Sequence, residues 1–174
     1  RFARSRSALR REPARCRHGG ARAYRSTTVM AELIIIGGGL AGSEAAWQAA
    51  RQGAEVVLFE MCPLHMTEAH RTPLLGELVC SNSLRSQELA TGPGLLKKEL
   101  EIAGSLVMNA ARAAAVSAGS ALAVDRTLFA EFITKSLERH PRITVVREEV
   151  KEIPGSLAVL ATGPLTSGAM AEAL

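Results

Sequence analysis

Two hydrophobic periods alternate along the chain. Leu33 to Ile36 is an unbroken, mostly β-branched apolar run, which predicts a strand buried on both faces. From Leu40 to Ala50 apolar residues recur at helical spacing, and Gly53 closes that segment. Val56 to Phe59 predicts a second strand, ended by the acidic Glu60. Residues 62–77 follow neither period and carry Pro63, Pro73, His65, His70, Thr67 and Thr72, which predicts a loop. Glu77 to Arg85 reads as a short apolar run and then a polar cluster, Ser81, Asn82 and Ser83, able to cap a helix. Gly92, Pro93 and Gly94 break the chain. Helical pieces are expected over Leu95–Ala103, with Leu95, Leu96, Leu100 and Ile102 apolar, and over Leu106–Ala115. Asp125 is a candidate N-cap for a helix from Arg126 to Glu138, on which Leu128, Phe129, Phe132, Ile133 and Leu137 form one apolar stripe. Pro141 stops it. Strands Ile143–Val146 and Leu157–Ala161 follow, the last running into Thr162, Gly163 and Pro164. Strands alternating with helices predict an α/β fold, a doubly wound parallel sheet.

Composition changes this picture at one end. With 174 residues, 47% of them apolar, the chain suits one domain with an ample core, filled by Leu, Ile, Val and Ala because aromatics are only 3%. The net charge of +4 is unevenly spread. Residues 1–30 hold nine Arg and one acid, Glu12, whereas the remainder is mildly acidic. The globular part's net charge therefore makes no case for nucleic-acid binding. Residues 1–29 are Arg-rich and lack apolar periodicity, so a disordered tail is expected there. Its composition is that of a transit peptide. The preferred reading starts the protein at Met30, or at Val29 through an alternative start codon; the alternatives are a targeting or RNA-tethering arm. Cys16, Cys62 and Cys80 show no paired or metal-ligand spacing, so no metal is expected and the thiols suit a reducing, cytoplasmic setting. No apolar run approaches the ~20 residues that span a bilayer, and no membrane role is expected.

The candidate chemistry lies in the first βαβ unit. Gly37, Gly39 and Gly42 stand at fingerprint spacing between the first strand and the first helix. Gly37 lets the chain turn out of the strand, Gly39 lets backbone approach a pyrophosphate, and Gly42 lets helix and strand pack closely. The helix N-terminus offers unpaired N–H groups and partial positive charge. Glu60 ends the second strand, where a carboxylate accepts hydrogen bonds from a ribose. A dinucleotide site built from Gly37, Gly38, Gly39, Leu40, Ala41, Gly42 and Glu60 is expected; the alternative is a tight turn without a ligand. FAD is favoured over NAD by the long insertion before the third strand and by the late Ala161-Thr162-Gly163 turn, whose small residues let backbone approach a cofactor.

The segments GGGLAGSEAAWQAARQG, ELVCSNSLRS, GPGLLKKEL, GSLVMNAA, SALAVDR, HPRITVVREEV and LATGPLTS follow one another as in one family. From Met30 to Leu174 the chain resembles the folate- and FAD-dependent tRNA (uracil-5-)-methyltransferases, which make ribothymidine in the T loop. ELVCSNSLR is the most specific piece. The flavin-dependent enzymes that modify wobble uridines share the glycine fingerprint but lack CSNSLR, and are the alternative, together with a non-catalytic nucleotide-binding remnant. The resemblance implies a Rossmann-like FAD-binding domain over residues 30–174, the N-terminal part of a two-domain flavoprotein. It implies methylenetetrahydrofolate as one-carbon donor, FAD and NAD(P)H for the electrons, and tRNA as substrate. Cys80 matches the family cysteine close to the flavin; the second functional cysteine lies beyond Leu174. Val150 matches a contact near the adenine, beside Glu148 and Glu149, and Thr162 with Gly163 completes the set. Ser81, Asn82, Ser83 and Arg85 are left unapportioned among flavin, folate and phosphate, and His70 matches a loop histidine.

There are departures. Cys62 stands where the family usually has Arg, and Pro73, Gly76 and Ser120 also differ from the common residues. Family members continue well beyond Leu174. The chain is therefore expected to lack methyltransferase activity by itself and to expose a sheet edge and apolar surface.

Overall fold

The computed structural model describes residues 32–174; the expectations for the tail 1–29 and for Met30 lie outside them. In chain order the elements are β1 (Glu32–Ile36), α1 (Leu40–Arg51), β2 (Glu55–Glu60), β3 (Ser83–Ser86), α2 (Gly92–Ile102), α3 (Leu106–Ala113), β4 (Ala115–Val116), β5 (Ala121–Val124), α4 (Arg126–Glu138), β6 (Ile143–Arg147), β7 (Ala158–Leu160) and α5 (Gly168–Ala173).

β6, β2, β1 and β7 form one sheet in that order, every neighbour parallel, with Ile34 opposite both Val57 and Ala158. The α/β class and the parallel sheet agree with the sequence. The strand order, outward from β1 to β2 to β6 and then back to β7 on the other side of β1, is that of a doubly wound sheet. Right-handed crossovers in the outward direction place their helices on one face. α1, α3 and α4 accordingly pack against one another. The return from β6 to β7 is made by residues 148–157 without a helix.

A second sheet, β3-β5-β4, is antiparallel and was not expected. The polar run at Ser83 is a strand of this sheet, not a helix cap. Gly92 and Pro93 do not break the chain either. They open α2, where Thr91 caps by accepting the Gly94 N–H at 3.2 Å and proline suits the first turn. α2 buries Gly94 and Lys97 and leaves Leu95, Leu96 and Ile102 exposed, against the expected face.

The core lies between the parallel sheet and the helix layer. Ile35, Val56 and Leu58 meet Ala46 and Ala50 of α1, small residues that let the helix close on the strands. α4 starts where expected, with Asp125 Oδ1 accepting the Leu128 N–H at 2.9 Å. Its stripe is narrower than read. Phe129, Ile133 and Leu137 are fully buried, each contributing about 1.5–3 kcal/mol, while Leu128 and Phe132 face outward. Val159 and Leu160 of the edge strand β7 are exposed, as expected of an uncovered edge. Among the described residues no helix is long and apolar enough to cross a membrane.

Candidate functional site

A cavity of about 380 Å³ opens where β1 and β2 end, at the C-terminal edge of the parallel sheet. Ligands collect there in open α/β sheets because strand ends and helix N-termini converge. Four walls bound it, the last built from two separate chain segments.

The first wall is the glycine turn. Gly37 leaves β1 with φ +103, a conformation that favours glycine, and a Cβ there would stand 2.7 Å from the Ala161 carbonyl oxygen. Gly38 is locked on both sides. Its N–H donates to Glu60 Oε2 at 2.6 Å, and its carbonyl accepts the Ser43 hydroxyl at 3.0 Å and the Gly76 N–H at 2.8 Å. A Cβ at Gly39 would meet nothing within 4 Å, so this residue opens onto the cavity. Gly39 N-caps α1 without a side-chain cap, and no acidic residue occupies the first turn. The first intrahelical bond is Ser43 N–H to the Gly39 carbonyl, so the preceding amides lack an intrahelical acceptor. Leu40 and Ala41 carry them along the cavity wall. Gly42 stands behind, where a Cβ would fall on the Gly37 carbonyl oxygen.

The second wall is the end of β2 and its loop. Glu60 presents its carboxylate to the cavity and accepts a second bond from the Cys62 N–H at 2.8 Å. Cys62, which departs from the family, does not line the cavity; its side chain is buried, with Sγ 3.5 Å from the His65 carbonyl oxygen. Burial, and then the Glu60 charge, pushes its thiol up to about 12. Arg147 from β6 donates to the Cys62 carbonyl at 3.1 Å.

The third wall is the loop before β3. Cys80 is exposed and lines the cavity beside Leu78, Val79 and Ser81. His70 lines it as well, its Nδ1 2.8 Å from the Thr67 hydroxyl. Glu77 shapes this loop by accepting the N–H groups of Arg71 and Thr72. The fourth wall combines Glu148, Glu149 and Val150 after β6 with Ala161, Thr162 and Gly163 after β7.

Gly37, Gly39, Leu40, Ala41, Glu60, Cys80, Val150, Thr162 and Gly163 thus share one cavity. Gly38 and Gly42 shape it from behind. Asn82, Ser83 and Arg85 do not line it; the Asn82 side chain is turned to the Val124 carbonyl instead. Leu165, Ser167 and Met170 complete the lining and were missed. The six-residue α5 is too short to show a hydrophobic period, and nothing else in the sequence marks it.

Residues 32–172 match the family described as Glucose inhibited division protein A. The chain is 59% identical over 142 residues to the methylenetetrahydrofolate–tRNA-(uracil-5-)-methyltransferase TrmFO of Aquifex aeolicus (strain VF5), a match covering 81% of this chain and 32% of that relative. A relative of the same name from Moorella thermoacetica is 60% identical over 144 residues, covering 82% and 33%. The Thermus thermophilus relative is 57% identical, covering 83% and 33%. The chain spans about a third of the length of these curated relatives. Among solved structures, GidA from Aquifex aeolicus superposes with a TM-score of 0.56 at 21% identity, covering 74% of this chain and 21% of that one, a likeness of fold.

Proposed function

The chain belongs to the glucose inhibited division protein A family, and from that membership we propose that it holds FAD for a folate-dependent methylation of uracil C5 in tRNA. The relatives' name supplies the reaction. The observation that carries it is the exposed Cys80 thiol on the same cavity as the uncapped N-terminus of α1 and the Glu60 carboxylate.

The residues present fit a dinucleotide. Gly39 leaves space for a close approach, the amides of Leu40 and Ala41 suit a pyrophosphate, and Glu60 suits a ribose. Gly37, Gly38 and Gly42 hold that cradle in shape. Val150 is assigned to the adenine end, and Thr162 and Gly163 to the opposite side. Bound FAD, reduced by NAD(P)H, supplies the electrons that turn the one-carbon unit of methylenetetrahydrofolate into a methyl group. Cys80 contributes the thiol, a strong nucleophile even when only partly ionised.

The test has two steps. Titrating the chain with FAD is expected to quench flavin fluorescence with saturation at one equivalent. In the polypeptide completed to its relatives' length, labelled methylenetetrahydrofolate is expected to label unmodified tRNA, and a methionine-derived donor is not. No flavin binding, or labelling from the methionine-derived donor, overturns the reading. The wobble-uridine alternative is less favoured, because the relatives that are 57–60% identical to this chain carry the uracil-5-methyltransferase name.

A further inference from the structure

The segment that carries Cys80 is held from outside the cavity by the junction of β5 and α4. Val124 donates its N–H to the Asn82 carbonyl at 3.0 Å, and the Asn82 side-chain amide donates to the Val124 carbonyl at 3.1 Å. Ser83 pairs with Ala123. Two residues after Val124, the guanidinium of Arg126 donates through Nη2 to the Cys80 carbonyl at 3.0 Å. That is its one hydrogen bond among the described residues, and it has no carboxylate partner there. Asp125, next to it, is turned the other way and caps α4.

Arg126 is exposed and is the first residue of α4. A cation in a first turn opposes the helix dipole, so the position gives Arg no local advantage. A solvated Arg there is free to extend into water, yet this one reaches back to the cysteine loop. The carbonyl and the thiol of Cys80 branch from adjacent atoms, which puts the guanidinium within roughly 8 Å of the sulfur by covalent geometry.

We propose that Arg126 is a positioning residue for Cys80. It holds the cysteine carbonyl so that the thiol keeps its place on the cavity wall, and it sets a positive charge beside the approach to the sulfur. The inference rests on Cys80 acting in the proposed reaction.

The experiment alkylates Cys80 with neutral iodoacetamide and with anionic iodoacetate. It uses the full chain and its Arg126→Gln and Arg126→Lys variants, with the Cys80 peptide quantified by mass spectrometry at low ionic strength. The iodoacetate-to-iodoacetamide rate ratio is expected to fall about threefold in Arg126→Gln, as a unit charge at this range in a watery setting predicts. Arg126→Lys is expected to retain most of it. A bond that only shaped the fold changes both rates together and leaves the ratio alone. A wild-type ratio in Arg126→Gln, with circular dichroism unchanged, overturns the proposal. The readout needs no flavin, folate or RNA. A ratio that responds to Arg126, with no folate-dependent labelling of tRNA, therefore overturns the methyltransferase reading and leaves the Arg126 inference standing.

Discussion

The Glu60 carboxylate accepts the Gly38 N–H at 2.6 Å, tying the end of β2 to the middle of the glycine turn. Its other oxygen takes the Cys62 N–H. One acidic side chain thus shapes the phosphate cradle and faces the cavity. Glu60→Gln is expected to turn one of these contacts into two opposed donors. Charge-assisted bonds contribute about 1.5–3 kcal/mol, so FAD affinity is expected to fall roughly tenfold or more. Fluorescence titration reads this; unchanged affinity removes Glu60 from the ribose assignment.

Two glycines separate shape from contact. A Cβ at Gly42 lands on the Gly37 carbonyl, whereas at Gly39 it meets nothing within 4 Å. Gly42→Ala is expected to destabilise the chain by about 1–3 kcal/mol through overpacking. Gly39→Ala is expected to leave stability within about 0.5 kcal/mol and to weaken FAD binding. Denaturant melts and flavin titrations of both variants separate the effects. Equal losses of stability would sink the distinction.

Cys62 makes stability depend on alkaline pH. Its thiol is raised from 9.0 to about 12 by burial and then by the Glu60 charge, so the folded chain keeps a proton that the unfolded chain releases above pH 9. The unfolded state then binds fewer protons, and stability falls as pH rises. The contribution is fully present below pH 9 and is lost progressively toward pH 12, at up to about 1.4 kcal/mol per pH unit. Urea denaturation between pH 8 and 11 is expected to show a steeper decline for wild type than for Cys62→Ala. Parallel declines would mean that the thiol is not buried as described.

The first βαβ unit was legible because each part is local: an apolar run, glycines at fixed offsets, and an acid at a strand end. Asp125 was legible for the same reason, since a cap acts within three residues. The antiparallel sheet was not. β4 has two residues and β3 is largely polar, so neither carries a period, and β5, the partner of β3, lies far along the chain from it. Leu128 and Phe132 belong to the apolar stripe of the sequence yet face outward, because a stripe read from sequence has no sharp edges. For the site, the fingerprint predicted the cradle, while the placement of Cys80 opposite it depends on tertiary contacts such as the Arg126 bond. Ser167 and Met170 reach the cavity only because β7 pairs with β1.

The two described cysteines are expected to behave oppositely. Cys80 is exposed on the cavity, so Cys80→Ala removes no packed volume and is expected to change stability by less than about 0.5 kcal/mol. Flavin binding is expected to persist, because the cradle is built from the glycine turn and Glu60. Folate-dependent methylation in the completed polypeptide is nevertheless expected to fall by about a hundredfold or more. Cys80→Ser restores the size but not the nucleophilicity, and is expected to be nearly as inactive. Cys62→Ala alters a buried thiol that stays protonated at neutral pH, so it is expected to lower stability while methyl transfer by the folded protein continues. Rates of labelled methyl incorporation for the three variants, normalised to bound flavin, decide the matter. If Cys80→Ala keeps the wild-type rate at full flavin occupancy, the thiol on the wall takes no part in the chemistry and the cavity is a flavin site alone.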